Sequence, residues 1–206
     1  MMRAKGTHRM PAANSSQKPV YEMRTMRTGA ERAEAAAFAE DTALLLAQRT
    51  VDLPVGQLAG PIRSQATVLG LHEDGVLVGC IVVHPEPDLH HWGHDGRGRG
   101  LLVSVVPPVP GCSEQAGRLL TLWLADYAAR NGLEWAWWEL PATSNGEMSA
   151  TLLDAVRDLS WEDLPAVRRS DGEQVVRLRL RAAVRDALTA VISAPDIPPT
   201  PGVSAR

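Results

Sequence analysis

Apolar and polar positions along this chain fall into a few periodic stretches separated by Pro- and Gly-rich breaks. Residues 101–106 (LLVSVV) form an almost continuous apolar run, as a strand covered on both faces would. Pro107, Pro108, Pro110 and Gly111 end it, because proline supplies no ladder N–H and restricts the residue before it. Ser113 then offers a helix N-cap, and Glu114 adds negative charge to the first turn. Ala116, Leu119, Leu120, Trp123, Leu124, Tyr127 and Ala128 recur at helical spacing, and Asn131-Gly132 predicts a left-handed helix end. Residues 134–140 (EWAWWEL) return as a strand. Strand, helix and strand of these lengths predict a βαβ unit with parallel strands and a right-handed crossover. Its strand-to-helix turn presents backbone N–H groups and a helix N-terminus, where an anion binds. Function is expected there.

Around this unit the pattern predicts further elements. Residues 20–26 alternate weakly, as a first edge strand does. Thr28 and Glu31 have the spacing of a capping box. The alanine-rich stretch 30–49 predicts a helix whose inner stripe runs through Ala37, Phe38, Asp41, Leu44 and Leu45. Residues 51–61 carry Pro and Gly at intervals and read as loop. Residues 66–72 and 76–83 predict strands joined at Glu73-Asp74-Gly75, since Asp-Gly between apolar runs signals a hairpin. Residues 84–99 read as a surface loop. Residues 141–146 form another loop, 147–159 a short helix, and Ser160-Trp161 opens a less regular segment. Residues 174–181 alternate, with Val176, Leu178 and Leu180 on one face and Arg177, Arg179 and Arg181 on the solvated one. Asp171-Gly172 predicts the turn before them, and 182–192 a short terminal helix. Residues 1–19 and the Pro-rich 194–206 read as disordered, leaving one domain over 20–193.

Composition narrows the function classes. With 206 residues the chain suffices for one well-buried α/β domain. A net charge of −3 without a concentrated basic face gives no electrostatic reason to expect nucleic acid as a partner. Two cysteines make no disulfide framework: Cys80 sits in an apolar strand as a small core residue, and Cys112 lies in the strand-to-helix turn. No run reaches the length of a membrane span, and the N-terminus lacks the apolar core of a signal peptide. A reduced, cytoplasmic protein is the expectation.

The order strand, helices, hairpin, strand, helix, strand, helix, strand resembles the GNAT family of acyl-CoA-dependent N-acyltransferases. The resemblance covers residues 20–182 as a pattern and the central unit as a motif. It implies an α/β (α+β) fold: a mixed, mostly antiparallel sheet flanked by helices around a central β-loop-α-β acyl-CoA unit. It implies acetyl-CoA or another acyl-CoA as co-substrate, with no metal, and a primary amine on a small molecule or peptide as acceptor. Neither nucleic acid nor membrane is implied as a partner, and homodimers are common among such proteins. The backbone of Val105 and Val106 would pair with pantetheine. The pyrophosphate would rest on Gly111, Cys112, Ser113, Glu114, Gln115, Ala116, Gly117 and Arg118.

The family motif Gln/Arg-x-x-Gly-x-Gly/Ala is incomplete here. With Gly117 at its last position, Cys112 and Gln115 stand where Gln/Arg and the first Gly are expected; shifted by one, Gly111, Glu114 and Ala116 fill the three places. The family's tyrosine acid, four residues before a Gly-Phe pair, maps to Val156 through Ser160-Trp161. The strand 101–106 offers only Ser104 where a glutamate base is usual, and a serine needs a base of its own. Two alternatives therefore accompany N-acetyl transfer: a GNAT-fold binding module without catalysis, and an acyltransferase with a carrier-protein or aminoacyl-tRNA donor.

Glu139, near the end of its strand, is a candidate to bind an ammonium group or accept its proton, against the plainer reading of an exposed strand glutamate. His84 is a second candidate base, because imidazole titrates near neutrality. His84, His90, His91 and His94 with Asp88 and Asp95 are a dense run of potential ligands, but their spacing matches no metal motif, so a solvated loop is expected. Trp135, Trp137 and Trp138 are expected to fill core on both faces of a strand rather than to form an aromatic wall for a cationic acceptor.

Overall fold

A computed structural model describes residues 18–48, 54–64, 67–84, 87–96, 98–106, 114–142, 154 and 156–194 of the chain. In chain order the elements are β1 (Tyr21–Thr25), α1 (Gly29–Gln48), a 3₁₀ turn (Pro54–Leu58), α2 (Ala59–Ser64), β2 (Thr67–Glu73) and β3 (Val76–His84). A second 3₁₀ turn (His90–Trp92) precedes β4 (Gly100–Val106), α3 (Glu114–Arg130) and β5 (Trp135–Pro141). The chain then forms β6 (Glu162–Arg168), β7 (Gln174–Arg181), a third 3₁₀ turn (Asp186–Ala190) and β8 (Ile192–Ser193). The strands make one sheet in the order β6-β7-β5-β4-β3-β2-β1-β8. Among the described strands only β4–β5 and β1–β8 are parallel, so the sheet is mixed and mostly antiparallel, as the family resemblance implied.

Local chemistry accounts for most boundaries. The Thr28 N–H donates to Glu31 Oε2 at 2.7 Å while the Glu31 N–H donates to Thr28 Oγ1 at 3.2 Å, a reciprocal capping box at the start of α1. Asp74 and Gly75 turn β2 into β3 with φ of +50° and +85°, the two positive values a type I′ hairpin needs. At the end of α3, Gly132 has φ +68°, its N–H donates to Ala129 O, and the Leu133 N–H donates to Ala128 O. That is a Schellman cap.

Residues Gly79 to Val83 of β3 are all buried, and β3 packs against both α1 and α3, so the centre of the sheet is covered on two sides. Helix α3 buries the expected stripe: Ala116, Leu119, Leu120, Trp123, Leu124 and Ala128. Helix α1 does not. Its buried residues are Ala35, Ala36, Ala39, Thr42 and Leu46, whereas Leu44 and Leu45 are exposed. In so alanine-rich a helix small side chains let the backbone lie close to its neighbours, with Leu46 buried among them while Leu44 and Leu45 face outward.

Four other expectations are corrected. Residues 54–64 are helical rather than loop, since Pro54 and Pro61 sit in first turns where proline's missing N–H has no intrahelical acceptor. β1 is not an edge, because Tyr21 and Glu22 pair with Ile192 and Ser193 of β8. The segment expected as a terminal helix is instead a 3₁₀ turn leading into that strand. β6 forms where only an irregular segment was read: it is a largely exposed edge strand, interrupted at Pro165 by a shift in register between Leu164 and Val167. Residues 154 and 156–158 are helical within the expected 147–159 helix. The leader up to residue 17, the tail from 195, the loop 107–113 and residues 143–153 lie outside the described residues.

Candidate active site

The sheet divides at its centre. β4 and β5 pair in parallel from Gly100–Trp135 to Val103–Trp138, and their pairing stops there. Beyond that point β4 stays with β3 through Ser104–Val82, Val105–Ile81 and Val106–Cys80. β5 stays with β7 through Glu139–Arg177, Leu140–Val176 and Pro141–Val175. The two strands thus part company at Ser104 and Glu139, leaving the facing backbone edges without a ladder between them. A small cleft of about 40 Å³ occupies the gap, lined by Ser104, Val105, Trp138, Glu139 and Leu140, with Val55 and Leu58 of the first 3₁₀ turn across it.

Glu139 is the cleft's acid. Its side chain is only 11% exposed, and its Oε1 accepts from Trp92 Nε1–H at 2.5 Å and lies 2.6 Å from His91 Nε2. Its Oε2 is 3.9 Å from Arg169 Nε, a longer ion-pair distance. The carboxylate is thereby oriented from one side while its second oxygen lacks so close a donor. Glu139 is not the exposed strand glutamate of the plainer reading.

His84, at the end of β3, places Nε2 2.9 Å from Ser104 Oγ. Burial holds its imidazole below the ordinary value; Glu139 opposes that effect and Arg169 reinforces it. Near neutrality His84 is therefore a neutral ring able to take a proton.

The support behind Glu139 was not foreseen. The loop expected to be solvated folds onto the sheet: Trp92 is 1% exposed and packs on Trp137, with ring centroids 5.7 Å apart and 43° between planes. Arg177, expected on a solvated face, is 5% exposed. Its guanidinium donates to Trp92 O and Pro165 O, pairs with Asp95 Oδ2 at 3.1 Å, and lies 5.4 Å from the Trp92 ring centroid. A buried guanidinium requires this many acceptors. The pattern in β7 gave no sign of it, because β6 and the 87–96 loop, which cover that face, come from elsewhere in the chain. Arg179 does keep partly to the surface, over Trp135, and Arg181 is exposed.

Two of the three tryptophans of β5 act as core: Trp137 and Trp138 are buried, and Trp138 packs on Trp161, whereas Trp135 is half-buried under Arg179. Cys80 is fully buried, as expected, and its thiol is pushed up to about 12 by desolvation. Of the expected anion site, Gly111, Cys112 and Ser113 lie outside the described residues. In the first turns of α3, Gln115 and Arg118 are exposed, Gly117 is half-buried and Ala116 turns into the core. Val105 is half-buried on the open edge of β4, and Val106 is buried beyond it. Val156, also buried, has its carbonyl engaged by the Trp161 N–H at 3.1 Å. Among the described residues no group of three or more His, Cys, Asp or Glu side chains is disposed to hold a metal ion, and no helix is long and apolar enough to cross a membrane.

No protein-family model matches the sequence, and no curated protein matches it significantly. Solved structures do match its shape. A putative acetyltransferase of the GNAT family from Desulfovibrio desulfuricans superposes with a TM-score of 0.55 at 10% identity, over 80% of this chain and 100% of that one. A GNAT-family acetyltransferase from Listeria monocytogenes gives 0.53 at 10% identity, over 78% and 95% of the two chains. An aminoglycoside 6'-N-acetyltransferase complexed with coenzyme A gives 0.52 at 9% identity, over 81% and 98%. Such identities speak for architecture alone, and together with the parted β4 and β5 strands they establish that this chain has the GNAT N-acetyltransferase fold.

Proposed function

We propose that the protein is an N-acyltransferase, moving an acyl group, most simply acetyl, from acyl-CoA to a primary amine of a small molecule or peptide. The observation that carries this reading is the gap between β4 and β5 beyond Val103 and Trp138, with Ser104 and Glu139 at its mouth. Pantetheine fits such a gap as an added strand, bonding to the open edge of β4 at Val105 and Val106, and the thioester then lies beside Ser104 and Glu139. The pyrophosphate falls at the start of α3, where N–H groups attract an anion whatever the side chains. A neighbour of the same fold holds coenzyme A.

In this reading Glu139 receives the incoming ammonium on Oε2, takes its extra proton and passes it to water, and orients the neutral amine toward the thioester carbonyl. His84, neutral near pH 7, is the terminal acceptor of the proton the amine loses. The amine nitrogen bonds to the acyl carbon, the C–S bond breaks, and CoA leaves with a proton on sulfur. Positioning and a polarised carbonyl supply much of the rate in such a transfer.

Calorimetric titration with acetyl-CoA and with free CoA tests the reading. Saturable binding, weakened when Gly117 is replaced by a bulky residue, supports it and justifies a screen of amines. No binding of either at millimolar concentration rejects it.

A further inference from the structure

We propose that Ser104 is a catalytic residue: its hydroxyl relays the amine proton to His84 and returns it to the departing thiolate. The inference rests on the acyl-transfer reading and deepens it. Ser104 lines the cleft, whereas His84 does not, and Ser104 Oγ lies 2.9 Å from His84 Nε2. The imidazole can therefore exchange a proton with a group in the cleft through Ser104, which stands at the first β4 position beyond the last β4–β5 pair.

The leaving group's need for a proton points the same way. The chain has two tyrosines. Tyr21 is on β1, where its hydroxyl donates to Glu73 Oε1, and Tyr127 is on α3, stacked on Trp123; neither lines the cleft. Val156 has no proton to give. Ser104 is the hydroxyl side chain among the described residues of the cleft wall. Of the charged groups near His84, Glu139 favours its protonated form and Arg169 the neutral one, while burial favours the neutral ring at rest. The ring is thus poised to receive a proton and to give it back.

The step balances without a further reactant. As the nitrogen of the neutral amine, already relieved of its ammonium proton by Glu139, bonds to the acyl carbon, its proton passes to Ser104 Oγ while the Ser104 hydroxyl proton passes to His84 Nε2, leaving an imidazolium. As the C–S bond breaks, the imidazolium returns a proton through Ser104 to the thiolate. Enzyme groups end as they began, and the products are the amide and the CoA thiol.

The test compares Ser104→Ala and Ser104→Thr with the wild type. Ser104→Ala is expected to lower kcat by about 100-fold, within the range for proton-transfer catalysis, with the KM for acetyl-CoA nearly unchanged. It should also abolish the fall of kcat on the acid side that titration of His84 imposes. Ser104→Thr, which keeps the hydroxyl, should retain most of the rate and that acid limb. NMR titration of the His84 ring reads the pairing independently of turnover, and Ser104→Ala should shift it. A Ser104→Ala enzyme with wild-type kcat and pH profile overturns the relay and leaves acyl transfer standing. An unchanged His84 titration overturns the pairing. A wild-type protein that binds no acetyl-CoA and acylates no amine overturns the reading beneath both.

Discussion

His91 Nε2 and Glu139 Oε1 lie 2.6 Å apart although 48 positions separate them in sequence. The contact joins a 3₁₀ turn to the strand β5 and fixes which oxygen of the carboxylate is left toward the cleft. Replacing Glu139 with Gln, which keeps shape and removes charge, should lower kcat/KM for the amine by about 100-fold, because an amide neither attracts ammonium nor takes its proton. His91→Gln should cost less, about 10-fold, since Trp92 still holds Oε1. Steady-state kinetics against amine concentration separates the two.

The pH dependence follows from His84. Its folded value is depressed by burial, so the unfolded chain binds the proton more readily than the folded one. This group's contribution to stability is complete above the ordinary imidazole value of about 6.5 and is lost as pH falls through the lower folded value. Wild-type kcat should fall over the same range, while His84→Asn should lose activity and show a flatter pH profile. Parallel thermal melts and rate profiles between neutrality and mildly acidic pH provide the check.

Arg177 anchors the support under Glu139. Arg177→Met keeps volume but removes the guanidinium from the carbonyl of Pro165, leaves Trp92 O with the Asp95 N–H alone and takes the ion-pair partner from Asp95. Asp95 is partly exposed, so the loss should be about 2 kcal/mol, below that of a fully buried pair. Urea unfolding measures it. Trp92 should loosen with it, so kcat should drop even where the variant remains folded.

Gly100 marks a close approach. A Cβ there would meet the Trp137 ring at 2.5 Å, and that ring is buried against Trp92. Gly100→Ala should therefore destabilise the fold by about 1–3 kcal/mol, the usual range for overpacking. The midpoint of denaturant unfolding would register it.

Cys80 is fully buried with its thiol pushed up to about 12. In a Cys112→Ser variant, where Cys80 is the remaining cysteine, a thiol-specific reagent at pH 8 should label nothing until denaturant is added. Prompt labelling of the native variant would contradict the burial of β3.

Much of the fold was legible because its signals are local. The α3 stripe, the Thr28–Glu31 box, the Asp74-Gly75 turn and the Asn131-Gly132 stop each depend on a few neighbouring residues and the geometry they prefer. Where the pattern was weak, the reading failed. The alanines of α1 mark no single face, and Pro165 hides β6 as a strand. Of the site, Glu139 and His84 were legible as chemistry, but their partners were not.

The sequence by itself determined the strand–helix–strand centre, the hairpin before it and the polar residues available for proton transfer, since period and turn chemistry are written in adjacent positions. Only the tertiary structure decided that Arg177 is buried, that His91 and Trp92 hold Glu139, and that Ser104 meets His84. Each of these depends on the register between strands far apart in the chain and on how the 87–96 segment folds across them. Such register is settled by packing of the whole sheet, for which no short stretch of residues carries the information.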